Sequence, residues 1–361
     1  MNKPKIFTIG GATFDIFVHS RDQGIMEFST PEEREKWLCL KHGGKIKVKE
    51  VVETFGGGAT NTGIAFSRMG FDVCTCAKIG AEHGDDVIEN LRKEGVCTDF
   101  VRKTSRDKTA FSDIINTFDG DRTVLAYGGA NRFFDAKDLP LKELEKADFI
   151  FLNHLAKKGS QIPKELLKIL KKNPNIKFAW NPGKEQLEQG VKKWKSLLKR
   201  TEILFVNKEE AALFTKTPYR LAGIKKHDPK YHVHTASKFL PPYADDVSEI
   251  MLEFFKYGVK YVVITDGRNG AQASDGERIY FCPVVSTKRV DTLGAGDSFA
   301  SGFTSAMILG KSLKTALIYG TLNANSVVNH FGAQKGLLTK TEMNKRYKAQ
   351  DICVTSAKLL D

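Results

Sequence analysis

Residues 291–303 read DTLGAGDSFASGF: two aspartates bracket a Gly-Ala-Gly turn, and a helix-compatible run, DSFASGFTSAMILG, follows at once. A helix N-terminus leaves backbone N–H groups unpaired and carries a partial positive charge. Glycines there let the oxygens of an anion reach those amides with no Cβ in the way. Gly294, Ala295 and Gly296 are therefore a candidate anion cradle, with the Asp297 carboxylate in the first turn of the helix. Taken alone, a Gly-x-Gly-Asp is equally the signature of an aspartate capping its own helix. The residues around it must decide.

The commoner phosphate loops are absent from the sequence. No GxxxxGK[ST] occurs, which argues against a Walker-type NTPase, and GGGATNTG at 56–63 has Asn61 where a dinucleotide loop needs its third glycine. The 361 residues carry a net charge of +13, but the lysines lie on amphipathic stretches such as PKELLKILKKNPNIK, so a solvated helix surface is expected and a nucleic-acid partner is not. No apolar run reaches the length of a membrane span, and the N-terminal MNKPKIFTIGG lacks the pattern of a cleaved leader, so a cytoplasmic protein without a membrane partner is expected. Six scattered cysteines form no zinc-like grouping and are expected to be reduced. His232 and His234 lack a convincing third ligand.

These residues need a frame to hold them. KIFTIGG, FDVCTCAKIG, ADFIFLNH, IKFAWNPG, EILFVNKEE and KYVVITDG are strand-length, apolar and closed by Gly, Asn, Asp or Pro. Helix-like stretches such as GDDVIENLRKEG and ADDVSEIMLEFFKYG lie between them. Such alternation predicts one α/β domain over 1–361, with a mostly parallel sheet between helical layers and a ligand crevice at its carboxyl edge. Residues 107–131 read as a hairpin around DGD, and with a segment from about 13–55 they would form a small β-sheet lid. Residues 217–246, rich in proline and without a period, read as a surface insertion.

The chain resembles the ribokinase or PfkB-type carbohydrate kinases. DTLGAGDSF is similar to that family's C-terminal signature and GGGATNTGIAFSRMG to its N-terminal one. FDIF, IGAEHGDDVIENLRKEGV, GAN at 129–131, VNKEE, TDGRNGA and GAQKG follow in the family's order, from about residue 5 to 340. The resemblance implies a ribokinase-like three-layer α/β/α fold and an ATP-dependent phosphotransferase acting on the hydroxymethyl group of a ribose- or fructose-like sugar. A nucleoside kinase is the alternative, with Phe111 and Phe118 as candidate walls for a base, and a non-catalytic sugar-binding regulator is a third reading.

The resemblance assigns roles residue by residue. Asp297 becomes the general base, opposed by a helix start that favours its ionised form and so weakens it. Asp15, Gly57, Gly58 and Asn61 become the sugar platform, whereas Phe14 and Phe17 are better read as core. Asn207 and Glu210 orient Mg²⁺ and its waters; Thr265, Gly267 and Gly270 lie beneath the ATP phosphates; Asn325 or Asn323 lies near the adenine. Asp291 and the backbone of 332–336 resemble loops that hold K⁺. A homodimer through the lid is also implied.

Overall fold

The computed structural model describes residues 3–20, 24–29, 34–117, 122–157, 159–217, 244–285 and 290–359. Nearly all of the expected insertion at 217–246, with His232 and His234, lies outside them, as does Phe118. The described strands, in chain order, are β1 (Lys5–Ile9), β2 (Thr13–Ser20), β3 (Gly24–Ser29), β4 (Arg34–Cys39), β5 (Val48–Gly56), β6 (Asp72–Ile79), β7 (Val101–Lys103), β8 (Ala110–Asn116), β9 (Arg122–Tyr127), β10 (Phe149–Leu152), β11 (Lys177–Trp180), β12 (Ile203–Asn207), β13 (Tyr261–Thr265), β14 (Ala271–Ser274), β15 (Arg278–Cys282) and β16 (Thr355–Lys358). The helices are α1 (Gly58–Arg68), α2 (Gly84–Lys93), α3 (Leu141–Leu144), α4 (Ile162–Lys172), α5 (Lys184–Leu187), α6 (Val191–Leu198), α7 (Lys208–Thr215), α8 (Ala244–Phe255), α9 (Ala295–Ile308), α10 (Leu313–Val327) and α11 (Lys340–Ala349).

Ten strands form the central sheet in the order β16-β15-β14-β13-β12-β11-β10-β1-β6-β7. Pairing is parallel from β13 through to β7 and antiparallel from β13 out to β16. Each of the six apolar runs supplies one parallel strand. Successive side chains point to opposite faces, and here both faces are covered. Ile6, Phe149 and Phe151 join one core, built with Ile64 and Phe66 of α1, Leu91 of α2 and Phe299 and Phe303 of α9. Phe7, Ile150 and Leu152 join the other, with Leu166 of α4, Phe214 of α7 and Phe254 of α8. The result is three layers, α/β/α, and the continuous apolar runs follow from burial on both sides.

A second sheet, β5-β2-β8-β9, stands apart from the first, with the two-stranded β3-β4 ribbon inserted between β2 and β5. Its register aligns Asp15 with Thr54 of β5 and Ser112 of β8, and Phe14 with Phe55 and Phe111. Asp15 and Phe14 therefore occupy opposite faces. All six cysteines are free thiols, and among the described residues no helix is long and apolar enough to cross a membrane.

α9 and α10, which carry the cradle and its flank, approach closely at two glycines. A Cβ on Gly302 would lie 2.8 Å from Tyr319 O and 3.0 Å from Asn323 Cβ. Gly302→Val must push the two helices apart, and it is expected to lower stability by about 1–3 kcal/mol, read as a lower denaturation midpoint with an unchanged slope.

Candidate active site

β5 ends in Gly56, Gly57 opens α1 with φ 99°, and Asn61 falls in the first turn of that helix. Across the crevice Gly294, with φ 73°, opens α9 and sets Asp297 in its first turn. The two helix starts meet in a hydrogen bond: Asn61 Nδ2 donates to Asp297 Oδ2 at 2.8 Å. Asn61 is itself held, because Gln334 Nε2 donates to its Oδ1 at 2.9 Å and Asn90 Nδ2 of α2 donates to Gln334 Oε1 at 2.9 Å. Three amides thus point their donors one way, toward a carboxylate.

Burial raises the Asp297 pKa, and the Asn61 donor only partly offsets it. The direction is opposite to the one expected from the helix start alone, and its largest cause is loss of solvent. The turn before it is open in part. A Cβ on Gly296 would meet nothing within 4 Å, whereas one on Gly294 would strike Ala333 at 2.3 Å. The Ala295 amide bends back onto Thr292 O at 3.3 Å, so it is a poorer anion donor than its position in the motif implied.

Asp15 is 3% exposed, and burial pushes its pKa up to about 6, against hydrogen bonds from Ser112 and Thr13 and with a smaller push from the charge of Asp291. Gly56 lies directly under it: a Cβ there would sit 2.0 Å from Asp15 Oδ2. Gly57 and Gly58 are demanded by the chain itself, since their Cβ atoms would strike Gly11 O at 2.5 Å and Asn153 Cβ at 2.9 Å. Asn153 Oδ1, buried beside them at the end of β10, has no partner among the described residues. Phe14 and Phe17 are buried, as expected, with Phe14 stacked on His83 at 4.0 Å and Phe17 against Phe331 at 6.0 Å. Phe111 shares the face of Phe14, away from Asp15, so its place as a wall of the Asp15 crevice is corrected by the two-residue period of the strand.

On the nucleotide side of the expectation, Asn207 and Thr265 are register partners at the ends of β12 and β13. Asn207 and Glu210 form a reciprocal cap of α7: Asn207 Oδ1 accepts from the Glu210 amide at 2.7 Å, and Glu210 Oε2 accepts from the Asn207 amide at 2.8 Å. Burial raises the Glu210 pKa; the Asn207 amide opposes this, while the charges of Glu209 and Asp297 add to it. Glu210 and Asp297 thus feel one another. Gly267 opens onto free space, but a Cβ on Gly270 would meet Cys282 O at 2.4 Å, which makes Gly270 a packing residue. Asn323 is committed to Ser298 O and the Leu338 amide, whereas Asn325 keeps a buried Oδ1 with no partner among the described residues.

Several site residues escaped sequence reasoning. Gln334 and Asn90 carry the amide relay, Asn131 clamps Ala12 through both backbone groups at 3.1 Å, and Arg122 of β9 reaches the turn before α9. GAQKG and GAN flagged two of these positions without a role. Nothing in the sequence around Arg122 signals its partner.

A carboxyl whose folded pKa is raised favours the fold only while protonated, so the contribution is complete below about pH 4 and lost as pH rises through about 6. The ionised Asp15 then costs about 3 kcal/mol as an upper figure. Asp15→Asn is expected to melt above the parent at pH 7.5 and to lose that advantage at pH 4, while its affinity for the acceptor substrate falls.

With this geometry in view, comparison with known proteins is direct. A model of the "pfkB family carbohydrate kinase" matches residues 23–340. A ribokinase of Bacillus subtilis is 27% identical over 296 residues, covering 80% of this chain and 86% of its own. A nucleoside kinase of Methanothermobacter thermautotrophicus is 22% identical over 355 residues, 96% of each chain. The structure of Arabidopsis thaliana ribokinase complexed with ribose and ATP superposes with a TM-score of 0.73 at 23% identity, covering 96% of this chain and 99% of that one. The chain belongs to the pfkB family of carbohydrate kinases, with the ribokinase-like fold, and is an ATP-dependent phosphotransferase.

Proposed function

We propose that the protein transfers the γ-phosphoryl group of ATP to the hydroxymethyl group of a small, ribose- or fructose-like sugar. One observation carries the reading: Asn61 and Asp297, 236 positions apart, share a hydrogen bond at two facing helix starts, and the buried Asp15 lies over Gly56, just before one of them. Asp15 accepts hydrogen bonds from the sugar hydroxyls, and Asn61 fixes the rotamer of Asp297 by holding Oδ2. Oδ1 then faces the acceptor hydroxyl. As the new O–P bond forms and the bond to the leaving ADP oxygen breaks, the hydroxyl proton passes to Asp297, whose raised pKa makes it the better acceptor. The amides of the 294–296 turn, chiefly that of Gly296, meet the charge on the transferred group.

Magnesium on the nucleotide would neutralise phosphate charge. Glu210 suits it, because this half-buried carboxylate is held through Oε2 alone among the described residues and stands within the field of Asp297. The lid sheet keeps water from the reacting group when the crevice is filled. Its outer face, with Val51, Leu125 and Tyr127 exposed on one side of the sheet, supports a homodimer through the lid; Leu125→Glu is then expected to sediment as a monomer where the parent does not.

A nucleoside acceptor is the second reading, favoured by the nucleoside kinase relative. Production of ADP from Mg-ATP across ribose, fructose, sugar phosphates, adenosine, inosine and cytidine separates the readings. Binding without turnover would mark a regulator. Asp297→Asn is expected to lose about a hundredfold or more in kcat with each accepted substrate; an equally active variant would remove Asp297 from its role.

A further inference from the structure

Asp291 is a carboxylate with 4% of its surface exposed, packed where three parts of the chain meet. Its Oδ1 accepts from the Leu293 amide at 3.0 Å, in its own turn, and its Oδ2 from the Gly332 amide at 3.3 Å, in the loop that also places Gln334. Arg122 arrives from the lid. Its Nε lies 3.8 Å from Asp291 Oδ1, and its Nη1 donates to the hydroxyl of Thr292. Arg122 is on the same face of the lid as Asp15, since the register runs Asn116 to Arg122 and His19 to Asn116, two rows beyond Asp15 and Ser112.

A carboxylate taken out of water needs a counter-charge close by. The resemblance to ribokinases gives Asp291 to K⁺, yet here a guanidinium occupies its side. A second monovalent cation at the same oxygens would meet that fixed positive charge across a poorly solvated gap. The site does not suit K⁺.

We propose that Arg122 is the resident counter-cation of Asp291, a lid-borne positioning residue that takes the place of a free monovalent ion and ties the cradle turn to the lid. The guanidinium fits the task. A guanidinium is a permanent cation, and here Nη1 donates to the Thr292 hydroxyl while Nε stands at ion-pair distance from the carboxylate, 3.8 Å, without a hydrogen bond to it. With Asp291 neutralised, the 291–294 turn holds the start of α9 at one height against the 332–334 loop. The cradle then forms where the lid is in place, and no ion has to be bound first.

The proposal rests on the kinase reading, and two measurements keep them apart. In chloride salts of about 0.1 M and equal ionic strength, the parent is expected to turn over at one rate in K⁺, Na⁺ and tetramethylammonium, and to melt at one temperature. Arg122→Ala is expected to slow by roughly ten- to hundredfold in tetramethylammonium, the size of a lost charge-assisted contact, and to regain both rate and melting temperature in K⁺. A parent activated by K⁺ overturns the proposal. So does an Arg122→Ala protein as fast as the parent, or one that folds, is slow and ignores K⁺. Should Arg122→Ala fail to fold, Arg122→Lys retains the charge and must stay indifferent to K⁺; activation of that variant by K⁺ is equally fatal. If no acceptor is phosphorylated in any salt, the functional reading fails, and the melting series still decides Arg122.

Discussion

In the phosphoryl transfer proposed for this site, the hydrogen bond from Asn61 to Asp297 reconciles two demands that oppose each other. A base for an alcohol must be reluctant to stay ionised, which burial provides, yet it must be ionised when the substrate arrives. Burial alone would leave Asp297 protonated and free to turn. A single charge-assisted donor favours the anion by about 1.5–3 kcal/mol and occupies one of its two oxygens. The donor must not flip, because a carbonyl presented to a carboxylate would repel it. Asn90 fixes Gln334, Gln334 takes the carbonyl of Asn61, and the amide nitrogen of Asn61 has Asp297 before it. That chain joins α1, α2, α9 and the 332–336 loop, elements on one face of the central sheet.

The crevice gathers acidic groups on a chain whose net charge is +13. Asp15, Asp297 and Glu210 all have raised pKa values, with desolvation the largest cause in each. Such a site repels bare polyphosphate. It accepts a nucleotide whose charge a divalent ion has already reduced, and the lysines spread over outer helices do not alter that local balance. Arg122 is the exception inside, and it is spoken for by Asp291 and Thr292. The charges therefore sort by position: acid beneath the reacting groups, Arg122 fixed in the lid, and most of the remaining lysines on outer helices, Lys78 and Lys208 being buried exceptions.

The frame was legible because burial on both faces writes continuous apolar runs into β1, β6, β10, β11, β12 and β13, and the glycine turns were legible because tight chain approach excludes other residues. Legibility ended where a property depends on partners far along the chain. The helix start at Gly294 is visible in the sequence, but the burial that raises the Asp297 pKa comes from packing. Asn323 and Asn325 look alike in NANS; only contacts to Ser298 and Leu338 show the first to be structural. Phe111 is aromatic and lies in the lid sheet, and strand parity turns it from the Asp15 face. Arg122 reads as one more basic residue after a turn, since its carboxylate lies in a segment far downstream.

Asn207 and Glu210 show why a structural and a catalytic explanation of one motif need not compete. Asn-x-x-Glu at a helix start is what a reciprocal cap requires in any protein, and here the cap is complete. It engages Glu210 through Oε2 and a backbone amide. That engagement clamps the side chain at the start of α7, where burial and the charge of Asp297 make the group unwilling to hold its own charge unaided. The cap thus holds the carboxylate at the start of α7: without it the side chain would relax toward water, and the role proposed for it beside a metal-bound nucleotide would be lost as well. Gly56 under Asp15 follows the same logic, since the residue that satisfies the local geometry is also the one that lets a costly carboxylate stay where the proposed reading puts the sugar.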